Sequence, residues 1–203
     1  MNQSKILLVI AVSIALSACA STKPIKVDIE NDTAPTVMGL DYRDFSEAAD
    51  KMVESMLISG ALDHPDDSRY VLAISRIIND TMQRIDTDQL VKKIRVSLLK
   101  TKKVVVTTAI SANGAEDEMS YQARELRNND EFAQSRVAGK GTMIAPDFSL
   151  SGKIIQRNSS MQRSTTQVDY YFQLSLTDIT SGLAYWEEEV PIIKRGSSKT
   201  VSW

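Results

Sequence analysis

Cys19, His64 with the acids around it, Ser111 and the run Glu187-Glu188-Glu189 are the groups whose types and spacing could do chemistry in this chain. There is one cysteine and one histidine. A single imidazole excludes a multi-histidine metal site, and a single thiol excludes a disulfide framework or a cysteine-built zinc site. Asp63, His64, Asp66 and Asp67 are close in sequence, but Pro65 stands among them and one histidine beside carboxylates reads as a solvated loop. Ser111, His64 and an aspartate have the residue types of a hydrolytic triad, with no spacing that joins them. Glu187 and Glu189 have the residue types of paired acids for sugar chemistry. On a strand, though, they share one wet face. Gly139-Lys140-Gly141 is too short to cradle a phosphate, and neither a phosphate-loop nor a nucleophile-elbow motif is present. The chain therefore reads as a non-enzyme, with no catalytic residue, no metal and no cofactor expected.

Cys19 has a different context. Lys5 supplies a positive charge, Ile6 to Ala15 is apolar apart from Ser13, and Leu16-Ser17-Ala18-Cys19 follows. The apolar run is too short to span a bilayer and has the anatomy of a signal peptide, 1–18. Its last four residues resemble a bacterial lipobox. That resemblance implies cleavage after Ala18, diacylglycerol on the Cys19 sulfur and acylation of the new amino group. Several acyl chains anchor stably where one does not. Ala20 and Ser21 follow the cysteine instead of an aspartate, which by the sorting rule of such lipoproteins implies the periplasmic face of the outer membrane.

The formal net charge is −2, and loss of Lys5 with the leader makes the mature chain slightly more acidic. Nothing here is the basic footprint of a nucleic-acid binder. Cys19 and the residues up to Met38 hold Pro24, Pro35 and several charges, and read as a lipidated, disordered linker, 19–38. Roughly nineteen residues extend to about 65 Å at ~3.4 Å each.

The elements that position these groups follow from periodicity. A first helix is predicted over 39–60, with Phe45, Ala48, Ala49, Met52, Val53, Met56 and Leu57 on one face, Asp44 and Glu47 as a capping box, and Gly60 as its stop. A loop over 61–69 and a strand over 70–78 follow. A second helix is predicted over 87–101, capped by Asp86 and Gln89, with Leu90, Val91, Ile94, Leu98 and Leu99 inward. A strand over 102–110, a polar helical stretch over 116–138 and a loop over 139–148 come next. Leu150 to Arg157 reads as a strand. Val168, Tyr170, Phe172, Leu174 and Leu176 alternate with polar residues, so that strand has one buried and one wet face. A turn at 178–182 leads to a closing strand with Ala184, Trp186, Val190 and Ile192 inward, and 194–203 reads as a polar tail. The first strands suit a parallel crossover and the last two a hairpin. The expected fold is α/β (α+β): one small domain, 39–193, with a mixed four-stranded sheet and flanking helices.

Several strings resemble the LpoB family of penicillin-binding-protein activators. They are Gly39-Leu40-Asp41-Tyr42-Arg43-Asp44-Phe45, Ser75-Arg76-Ile77-Ile78-Asn79, Leu150-Ser151-Gly152-Lys153-Ile154-Ile155, and the hairpin Tyr170 to Trp186. The resemblance covers about residues 39–193 and implies a fold like the TolB N-terminal domain. It also implies an outer-membrane lipoprotein that docks on a class A penicillin-binding protein and stimulates glycan polymerisation and peptide cross-linking. Familiar members carry a long proline-rich tether; the one here is short. A monomer is expected. A surface for the partner is suggested by charged, polar and aromatic residues near the sheet, Lys153, Arg157, Arg163, Tyr171 and Gln173, since Tyr and Arg are favoured at interfaces. The alternative is a structural or secretion component similar to the curli-secretion lipoprotein, which would need long amphipathic hairpins; the single hairpin here favours the regulator.

Overall fold

A computed structural model describes residues 24–29, 31–161, 164–197 and 199. Cys19 and its leader lie outside the described residues, as does Arg163. Residues 24–36 belong to a unit separate from the domain that begins at Val37. Their described part holds no helix or strand; Asn31 donates to Asp28 at 2.8 Å and the Ala34 amide to Asp32 at 2.9 Å.

The domain opens with α1, Tyr42–Ile58. Asp41 is its N-cap: the carboxylate accepts from the amides of Arg43 and Asp44, while the Asp41 amide donates to the Asp44 carboxylate at 2.7 Å. The capping box is thus Asp41 with Asp44, one turn earlier than the expected Asp44 with Glu47. Both pairs have the i, i+3 spacing. The earlier one wins because the preceding residues are pinned: the Leu40 amide donates to Gln83 at 3.0 Å and Lys194 donates to the Gly39 carbonyl at 2.7 Å. Ala48, Ala49, Met52, Val53 and Met56 are buried as expected, but Leu57 lies at the edge of the stripe and is 41% exposed. Gly60, at φ +73°, takes the left-handed conformation that ends the helix.

Five strands form one sheet: β1 Tyr70–Asp80, β2 Val104–Val106, β3 Phe148–Ser160, β4 Thr165–Asp178 and β5 Ala184–Ser197, in the order β2-β1-β3-β4-β5. The expected count of four is corrected to five. Val104-Val105-Val106 keeps a place at the edge although it is far shorter than the predicted 102–110. Lys102 has a positive φ, and the Thr108 carbonyl turns away to accept from Glu116 and Asp117, so both ends are cut off. β1 runs parallel to both β2 and β3, and β4 and β5 complete the sheet antiparallel. α2, Thr87–Lys100, makes the crossover from β1 to β2, capped by Asp86, which accepts from the Asp88 amide; no cap from Gln89 is needed.

Two more boundaries differ from expectation. The stretch predicted as a helix over 116–138 is helical only in α3, Met119–Glu125, followed by two short 3-10 turns. α3 buries nothing and lacks a side-chain cap. Polar side chains hold this segment instead: Arg127 donates to the carbonyls of Ala138 and Gly139 at 2.7 and 2.9 Å. The expected polar tail from 194 is strand as far as Ser197, because Thr165–Val168 pair with Lys194–Ser197.

The helices α1 and α2 lie side by side on one face of the sheet, linked by Lys93 to Ser46 and by Ser97 to Asp50. Beneath them the inward row of β4, Val168, Tyr170, Phe172, Leu174 and Leu176, is buried together with Phe148, Leu150, Ile154, Trp186 and Val190. Each such large apolar side chain contributes about 1.5–3 kcal/mol by leaving water. Phe45 meets Phe172 edge-on, ring centres 5.8 Å apart. Gly152 belongs to this inward row of β3; a Cβ there would sit 2.4 Å from the Gln173 carbonyl oxygen. Only hydrogen fits between the two backbones.

Candidate docking surface

Among the described residues, His64, Ser111 and the three glutamates each have local partners. The His64 Nδ1 is paired with the Asp66 carboxylate, and its ring packs on Tyr70 with centres 4.5 Å apart. Ser111 Oγ donates to the Gly114 carbonyl at 2.7 Å. Ser175 Oγ donates to Glu187 at 2.8 Å, Gln173 to Glu189 at 2.7 Å, and Ser55 to Glu188 at 2.6 Å. The three glutamates therefore act as acceptors for strand and helix neighbours. Among the described residues no group of three or more histidines, cysteines and acids is placed to hold a metal.

The face of the sheet away from the helices is where the suggested partner residues meet. The β3–β4 register sets Lys153 opposite Gln173, Ile155 opposite Tyr171 and Arg157 opposite Asp169. The β4–β5 register adds Glu189 beside Gln173, Pro191 beside Tyr171 and Ile193 beside Asp169. β1 extends two of these rows, with Ile78 beside Lys153 and Asp80 beside Ile155. Side chains at one register point the same way, so four of the five suggested residues share a face. Arg163 is outside the described residues.

This face has an apolar middle and a charged rim. Ile155, Tyr171 and Pro191 form a row across it that ends at Asp80, with Ile78 in the adjacent row beside Lys153 (51% exposed) and Ile193 in the row on the other side beside Asp169 (56% exposed). Around them Lys153 pairs with Asp80 at 2.6 Å, and Arg195 donates to Gln167 at 2.6 Å. Sequence reasoning missed Ile78, Ile155, Pro191 and Ile193. Alternation was the signal for three of them: Ile155 lies two residues from both Lys153 and Arg157 on β3, and Pro191 and Ile193 continue the wet-face alternation of Glu187 and Glu189 on β5, whereas Ile78 is placed only by the register of β1 against β3.

Burial makes the opposite face electrostatically distinct. Burial pushes the Tyr170 hydroxyl up to about 12, with the nearby Asp44 charge adding to it. The hydroxyl stays protonated and donates to the Met38 carbonyl at 3.2 Å. Lys194 reaches under α1 to Asp44 at 2.5 Å, the two side chains 9% and 13% exposed. At the α1 cap, burial pushes Asp41 up. The Arg43 side chain and the amides of Arg43 and Asp44 outweigh it and hold the carboxyl below its ordinary value.

A sheet roofed by helices on one side and presenting a charge-rimmed apolar strip on the other defines a mixed α+β domain with one open sheet face. The chain belongs to the family of the peptidoglycan-synthase activator LpoB, whose family model matches residues 44–192. This bears out the resemblance carried by the strings around Asp41, Ser75, Gly152 and the Tyr170 hairpin. The chain is similar to the LpoB C-terminal domain from Escherichia coli, with 14% identity over 73% of this chain and 98% of that one, at a TM-score of 0.42. For the same domain from Salmonella enterica the values are 13%, 73%, 98% and 0.42. For the NMR structure of E. coli LpoB they are 15%, 87%, 80% and 0.41. A comparison with curated protein sequences gives no match.

Proposed function

We propose that this protein is an outer-membrane lipoprotein that binds a bifunctional class A penicillin-binding protein and raises its glycan-polymerising and peptide-cross-linking rates. The observation that carries this reading is the match of the activator family over residues 44–192. The open sheet face supports it, because an apolar centre with a polar rim is the anatomy of a protein interface. Lys153, Arg157, Tyr171 and Gln173 lie in that face and contact the enzyme, with Arg163 nearby in sequence. Activation follows from preference: the regulator binds the active conformation of the synthase more tightly than the resting one, and shifts the population toward it. The protein supplies no catalytic group, metal or cofactor; its one covalent addition is lipid at Cys19.

The test is direct. The mature chain with Cys19→Ser is added to the purified class A enzyme of the same cell, and glycan polymerisation is followed. A rise in rate that saturates with added protein is expected; no binding and an unchanged rate would sink the reading. For the anchor, Cys19→Ser in cells moves the protein from the membrane fraction to the soluble periplasm, and retention in the membrane would contradict lipidation.

A further inference from the structure

The two long edges of the sheet are treated differently. β5 is an edge along its whole length, and it carries Pro191, which has no amide to donate, among Glu187, Glu189 and Arg195. Proline and charge are how natural sheets prevent an edge from recruiting another strand. At the other side, β2 covers β1 only from Tyr70 to Leu72. Beyond Leu72, the segment Ile74–Asn79 lines an open groove of about 860 Å³ between the β1 edge, the first turns of α2 and the loop at 111–116. This stretch has no proline and three isoleucines. One register shift falls between Ile74 and Ile77, after which Ile77 to Asp80 run unbroken beside β3.

The groove has the size and charge of a strand site. An extended residue fills about 160 Å³, from a rise of ~3.3 Å, a strand spacing of ~4.8 Å and a layer spacing of ~10 Å. The space therefore holds about five residues. Its charged lining is Arg76, Lys92 and Arg95 against Asp88 and Glu116. Arg95 is buried and already engaged by Glu116. Among the described residues, Arg76 and Lys92 have no ion-pair partner, and both are exposed. The groove thus offers main-chain groups and two uncommitted cations to an incoming chain. It is also continuous with the open face through Ile78, which belongs to both.

We propose that the uncovered edge of β1 is a strand-acceptor site, on which an extended segment of the peptidoglycan synthase bearing carboxylates adds in line with β2, its acids meeting Arg76 and Lys92. Main-chain hydrogen bonds give this mode its affinity, and the flanking charges select the segment. The proposal rests on the synthase being the partner.

The experiment uses the mature chain and the purified class A enzyme as probe. Binding is measured for the unaltered chain, for Arg76→Glu with Lys92→Glu, and for the conservative Arg76→Lys with Lys92→Arg. Amide hydrogen exchange is read over 74–80 with and without the enzyme. The reversed pair is expected to bind at least roughly tenfold more weakly with an unchanged melting temperature, the conservative pair to bind as the unaltered chain does, and amides within 74–80 to gain protection in the complex. Unchanged affinity of the reversed pair overturns the proposal. So does weakened affinity without new protection at 74–80, which marks a charged contact and no added strand. Protection that appears when the chain alone is concentrated assigns the edge to a second copy and overturns it too. If the unaltered chain does not bind the enzyme, the functional reading fails and this proposal falls with it; binding that ignores the edge leaves that reading standing.

Discussion

Neighbouring residues on β4 face opposite fates. Phe172 is sealed beneath α1 against Phe45, while Tyr171, one residue earlier, stands on the open face between Ile155 and Pro191. The two faces come from the same strands and the same hydrogen-bond ladder. They differ in what covers them: two helices on one side, water on the other. The sealed face holds the domain together, and the open face is left free to evolve a partner. With the open face as the proposed docking surface, stability and recognition are separated by a period of two, and substitutions at adjacent positions should separate them as well.

The sharpest test of that separation is the pair Phe172→Ala and Tyr171→Ala. The first leaves a cavity on the sealed face and is expected to cost about 3–5 kcal/mol. The second is expected to shift stability by less than about 0.5 kcal/mol while weakening binding to the synthase. Denaturant unfolding and a binding titration measure the two effects; a destabilised Tyr171→Ala chain would break the comparison. Next comes the charge hidden on the sealed side. Lys194→Met strands the Asp44 carboxylate under α1 and is expected to cost about 3 kcal/mol. A loss below about 1 kcal/mol in the same assay would mean that the pair behaves as a surface pair. Gly152→Ala should cost about 1–3 kcal/mol, since its methyl meets the Gln173 carbonyl and the Leu174 side chain. A neutral result would show slack where the strands β3 and β4 look tight.

The smallest loss expected on the sealed side is at the helix cap. Asp41→Ala should cost about 1 kcal/mol near neutral pH. The Asp41 carboxyl is held below its ordinary value in the folded chain. Its contribution is therefore fully present above the unfolded value near 4, and is lost as pH falls through the lower folded value. The difference in stability between the native chain and Asp41→Ala should shrink over that acid range. A gap that stays constant, measured by thermal unfolding at several pH values, would show that the cap works without its charge.

How far the fold was legible depended on the range of the interactions. The alternation from Val168 to Leu176 is local, and it named the buried row of β4 correctly. The stripe of α1 was equally plain, since Ala48 to Met56 need no knowledge of their neighbours. The errors lie where a distant residue decides. Lys194 and Arg195 look like tail, yet pairing with Thr165–Val168 makes them strand, and Asp44 buries the lysine. Two overlapping acid pairs fit the helix start, and only the contacts of Gly39 and Leu40 choose between them. Val104–Val106 joins the sheet because β1 offers it an edge. Of the proposed docking surface, Lys153, Arg157, Tyr171 and Gln173 were read from residue type. Local alternation could mark single members such as Ile155, but joining them into an apolar strip required the register of four strands, which no local pattern contains.

The clasp on Gly39 has a mechanical consequence. The chain enters the domain at Met38 and Gly39, whose carbonyls are held by Tyr170 on β4 and Lys194 on β5. A pull on the preceding segment is therefore delivered first to the two longest strands, which are cross-braced along their length, before it can unwind α1. Tension applied there would be borne by the paired strands, and the helix beside them would be spared.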